Sequence, residues 1–120
     1  MAFTTGPIEN QGNQPADARN ARVKILNRTG SPLTGLVRSF RLNGTRLLIQ
    51  QVSFAVPANA SDFITLSLVH PNLGQADQYE VEIVPNQNGG IYSVYGRTST
   101  GSIIFCTKSF AFRINANTLG

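Results

Sequence analysis

The sequence predicts an all-β chain: a single antiparallel β-sandwich, jelly-roll or immunoglobulin-like, of about seven or eight strands, with an extended N-terminal arm. Three observations carry this. Apolar and polar residues alternate with period two: Tyr79, Val81 and Ile83 against Glu80 and Glu82, and Phe110, Phe112 and Ile114 against Ala111 and Arg113. Gly, Pro, Asn and Ser clusters interrupt the apolar runs at roughly ten-residue intervals. No stretch shows the helical period.

Residues 1–20 read as a flexible connector and 21–120 as the sandwich. The connector is rich in Gly, Pro, Asn and Gln. It has too little apolar area to offset its chain entropy, so it is expected to be disordered in an isolated monomer. Twenty extended residues reach roughly 65 Å, whereas a domain of this size has a radius of gyration of about 13 Å. The arm can thus enter a second copy; the alternative is that it packs on its own body, with Phe3 and Ile8 covering a patch of the same chain. Phe3 and Ile8 are its natural anchors, with Thr4, Thr5 and Pro7 between them.

The body begins with a strand over 21–29, in which Val23 and Ile25 face inward. Residues 29–32 form a turn. Strands over 35–42 and 45–54 flank Asn43-Gly44, a dipeptide suited to a type I′ hairpin with positive φ at both positions. The dry face changes between Leu47/Ile49 and Val52/Phe54, which predicts a bend. After a loop at 57–61, a strand over 62–69 turns Ile64, Leu66 and Leu68 inward. Residues 70–76 form a loop. Strands over 78–85, 90–97 and 102–114 then read as three consecutive antiparallel partners onto which the others pair. Gly96 suggests a bulge or a close backbone approach, and the parity of Lys108 suggests another irregularity.

Charged residues make up only 13% of the chain, and neutral polar residues replace them. Little repulsion then separates one copy from another. The net charge is +4, but the basic residues are scattered and residues 1–18 contain none, which argues against a nucleic-acid arm. No apolar run approaches a membrane span, and residues 1–30 lack the apolar segment of a signal peptide.

Chemistry-bearing residues do not converge. His70 is the one histidine and Cys106 the one cysteine, so neither a metal site nor a Cys–His pair is expected. Cys106 reads as a small core residue or as a contact between copies. Glu80 and Glu82 share a wet strand face. Tyr92 and Tyr95 are packing residues or, alternatively, a sugar platform. Asn27, Asn43 and Asn59 fit the N-glycosylation triplet, as Asn-rich turns do by chance. No enzyme, cofactor or catalytic residue is expected.

Several segments resemble the small β-sandwich subunits of endospore appendages of Firmicutes: residues 23–27, 53–61, 78–83 and 92–96, together with a connector ahead of one jelly-roll domain. The resemblance implies an extracellular, spore-surface fibre of identical subunits, each connector docking into a neighbour's sandwich, with release by mother-cell lysis. It also implies spore-surface anchor or tip proteins as further partners, and neither nucleic acid nor membrane. Connectors of that family carry cysteines; this one has none, so strand pairing would hold the fibre, with Cys106 as the one thiol able to link copies. A carbohydrate- or protein-binding adhesin and a capsid-like jelly roll are the alternative expectations.

Overall fold

The computed structural model describes residues 2–10, 18–97 and 110–111, and it is all-β and antiparallel. The strands are β1 (Phe3–Thr4), β2 (Ile8–Glu9), β3 (Asn20–Asn27), β4 (Leu33–Arg41), β5 (Leu47–Val56), β6 (Ala60–Ser67), β7 (Val69–His70), β8 (Gly74–Gln75), β9 (Gln78–Pro85), β10 (Gly90–Arg97) and β11 (Phe110–Ala111). One sheet runs β1-β9-β4-β5, with β2 also on β9; the other runs β11-β10-β3-β6; β7 and β8 form a small hairpin. The two large sheets pack face to face as a β-sandwich.

The alternation read from sequence makes the core. Tyr79, Val81 and Ile83 of β9 and Val37 of β4 are fully buried, facing Val23 and Ile25 of β3 and Tyr92 and Val94 of β10. Leu66 and Leu68 are buried as expected, and Ile64 packs against them, partly buried. Asn27 closes one end of this core. Its amide nitrogen donates to the carbonyls of Ser31, Val56 and Pro57 at 2.8–3.1 Å, and its oxygen accepts from Thr29. Asn27 is wholly buried, so as folded it is not a glycosylation acceptor.

Four expectations need correction. Strands β9 and β10 are not partners: β9 pairs β4 while β10 pairs β3 in the opposite sheet. Each turns an apolar face to the core from its own side, and residues 86–89 cross between sheets, tied to β4 by Asn86 N–H donating to the Thr34 carbonyl at 2.8 Å. The β4–β5 link is not a two-residue type I′ turn. Gly44 has φ +89°, but Asn43 is not at positive φ. Its side chain instead accepts the N–H groups of Asp77 and Gln78, so it caps the start of β9. Residues 70–76 are not wholly loop, since Gly74–Gln75 pairs back onto Val69–His70. Of the two readings of Gly96, the bulge is absent from the pairing with β3, where Gly96 sits in register opposite Ala21. The bend expected in 47–53 is present: Ser39 faces Gln50 and Phe40 faces Leu48, leaving Ile49 unpaired. That extra residue reverses the facing parity.

Candidate assembly site at the arm and strand β9

The free edge of β9 is taken by residues 2–10 of the same chain. The connector expected to be disordered is, over these residues, an edge strand of its own sheet. Phe3 lies opposite Ile83 and Thr4 opposite Glu82; then Ile8 lies opposite Tyr79 and Glu9 opposite Gln78. The sums of paired numbers change by one between the two halves, so the arm carries one extra residue around Thr5-Gly6-Pro7. Gly6 has φ +69°, the left-handed conformation that glycine adopts without a Cβ penalty. The consequence is decisive for packing. Residues five apart face opposite sides of a regular strand, but the extra residue turns both Phe3 and Ile8 toward the core.

Each arm residue named from sequence has a defined place. The Phe3 ring lies 5.4 Å from that of Tyr92, tilted by 43°. Thr4 Oγ1 donates to the Glu80 carboxylate and accepts Gly6 N–H at 3.0 Å. Thr5 N–H donates to the Val81 carbonyl at 3.0 Å, while Thr5 Oγ1 accepts Val81 N–H at 3.1 Å. The hydroxyl thus replaces the carbonyl that the bulge displaces. Pro7 is exposed and Ile8 is buried. Asn10 then anchors the end of the arm, donating through its amide to the carbonyls of Ala18 and Ala76 at 2.9 Å each.

On the outer face of this sheet, charge is neutralised in place. Arg46 Nε lies 2.7 Å from Glu80, Arg38 lies 3.1 Å from Glu82, and the Arg46 guanidinium stacks on Phe40 at 3.7 Å from the ring centroid. The pair Glu80/Glu82 is therefore held by arginines and by Thr4. That array orients the arm.

The other residues singled out from sequence lie elsewhere. His70 Nδ1 accepts the N–H groups of Asn72 and Leu73 and shapes the β7–β8 turn. Tyr92 and Tyr95 are buried and offer no sugar platform. Burial pushes the Tyr92 phenol up to about 12. Cys106, Lys108 and most of the strand expected over 102–114 lie outside the described residues; Phe110–Ala111 pairs with β10. Sequence reasoning missed Asn10 as an anchor, because one Asn among several carries no periodic signal. It also missed the outward-facing Leu26 and Phe63, whose signal was their parity opposite to Ile25 and Ile64.

No family model matches the chain, and no curated protein matches it. Among solved structures, the Anabaena sensory rhodopsin transducer aligns with a TM-score of 0.50 at 14% identity, over 82% of this chain and 89% of that one. The structure of Thermotoga maritima 1070 aligns with a TM-score of 0.50 at 8% identity, over 93% of each chain. At such identities the likeness is one of fold, and the fold is the antiparallel β-sandwich described above.

Proposed function

We propose that the chain is a self-associating structural subunit whose N-terminal strand is exchanged between copies, building a head-to-tail fibre on an extracellular surface. The spore surface is the setting that the sequence resemblance implies, with anchor or tip proteins as its further partners. The observation that carries this is the form of the arm. Residues 2–10 are a separate edge strand whose Phe3 and Ile8 belong to the core, joined to the body by a short polar segment, residues 11–17. Every contact made by such a strand in its own domain is available in an identical neighbour. Closure within one chain and exchange between chains therefore differ chiefly in linker strain and effective concentration. High protein concentration favours exchange, and a donor surface distinct from its acceptor propagates into a filament. The low charge content removes the repulsion that would oppose stacking.

A disulfide trap tests this. Thr4 and Glu82 are direct cross-strand neighbours, within the Cα separation that a disulfide spans. Thr4→Cys with Glu82→Cys, in a Cys106→Ser background, is oxidised at high and at low protein concentration. We expect a ladder of multimers on a non-reducing gel at high concentration, and linear polymers by negative-stain electron microscopy of the unsubstituted protein. A monomer band alone at every concentration, with no polymers, overturns the reading.

A further inference from the structure

We propose that the outer face of the β10-β3-β6 sheet binds a small organic carboxylate with an aliphatic body. The strand registers place two rows side by side on this face: Ser93, Lys24 and Phe63 in one, Ile91, Leu26 and Ser61 in the next. Together they line an open groove of about 610 Å³, within the roughly 300–1,000 Å³ of small-ligand sites. Its floor is apolar although it faces solvent. Phe63 is 49% exposed and Leu26 40%, and both lie on β6 and β3 at outward positions where an ordinary strand carries polar residues.

Charge decides the ligand class. On the other sheet, Glu80 and Glu82 pair with Arg38 and Arg46, and little net charge remains. The six outward positions named above hold Lys24 and no carboxylate. Among the described residues, no acid lies within ion-pair reach of Lys24. Arg22, one row further on, lies over the Phe63 ring at 4.0 Å and donates to Thr65, adding a second cation to the same end. Asp62 also lines the groove, but it stands at the inward parity of β6, opposite Ile25, and accepts the Phe63 N–H at 2.7 Å. A carboxylate laid toward Lys24, with its chain across Leu26, Ile91 and the Phe63 edge, satisfies the cation and removes apolar surface from water at once. An uncharged chain gains only the second effect, and a bare anion only the first.

The test is isothermal titration calorimetry of the full chain with decanoate, decanol and acetate. Decanoate should bind measurably, with decanol and acetate each at least about threefold weaker, as expected for loss of one exposed charge contact or of the apolar contact. Lys24→Glu and Phe63→Ala, both at exposed positions, should weaken decanoate at least as much, while Leu73→Ala on the distant β7–β8 turn should leave it unchanged. Circular dichroism verifies that each variant is folded. Absence of decanoate binding at millimolar concentration, equal binding of decanol, or indifference to Lys24→Glu overturns the proposal. None of these outcomes depends on whether the arm is exchanged.

Discussion

The side chain of Asn10 grips the backbone of Ala18 from both sides: its oxygen accepts Ala18 N–H at 2.9 Å while its nitrogen donates to the Ala18 carbonyl at 2.9 Å. The same nitrogen also donates to Ala76. All three residues are buried, so water does not compete. This pair, more than the two apolar anchors, sets where the arm ends and the body starts.

Asn10→Ala would leave two carbonyls and one N–H unpaired in the interior. An unsatisfied buried polar group costs roughly 1–3 kcal/mol, so a loss of about 2–4 kcal/mol is expected. Asn10→Asp should do no better, since it offers an acceptor where two carbonyls need a donor. Urea unfolding midpoints, at unchanged slope, measure both.

Two glycines should fail for different reasons. At Gly6 an added Cβ meets nothing within 4 Å among the described residues, but φ is +69°, so Gly6→Ala should cost about 1–2 kcal/mol from conformation alone. It should also loosen the arm selectively, seen as faster amide exchange at Val81. At Gly35 a Cβ would lie 2.5 Å from the Val84 carbonyl oxygen and 2.8 Å from Phe54 Cζ. Gly35→Ala must displace backbone between β4 and β9, and it should destabilise the whole domain by more than Gly6→Ala does.

Tyr92 supplies a pH prediction. Its hydroxyl is buried without a hydrogen-bond partner among the described residues, and desolvation raises its folded pKa from 10.0 to about 12. The unfolded chain therefore releases this proton near pH 10 while the folded chain retains it. Between pH 10 and pH 12, unfolding is coupled to proton release, so stability falls as pH rises, by at most roughly 1.4 kcal/mol per pH unit. Below pH 10 the group contributes no slope. Tyr92→Phe should flatten this alkaline limb without lowering stability at neutral pH, since it removes an unpaired polar atom. Chemical denaturation at several pH values between 8 and 12 compares the two proteins.

Asn27 should tolerate nothing. Its amide serves three carbonyls and its oxygen serves Thr29. Asn27→Leu, close in size, leaves those groups unpaired and should cost more than about 3 kcal/mol. A fall in thermal midpoint well beyond that of the exposed control Asn72→Ala is the expected result.

The class of fold and the identity of most strands were legible because a strand with one dry face records its own periodicity. Strands β9 and β10 lie where alternation placed them, and the bend of β5 announced itself as a change of dry face. Pairing was not legible. Whether β10 lies beside β9 or across the sandwich from it depends on which edges are occupied, a property of the assembled sheets that no local pattern encodes. The arm shows the same division. Composition marked residues 1–20 as distinct from the body and named Phe3 and Ile8 as anchors. Their odd spacing, however, forbids a shared face in a regular strand. Only the tertiary structure, through one left-handed glycine and the open edge of β9, brings both side chains into the core.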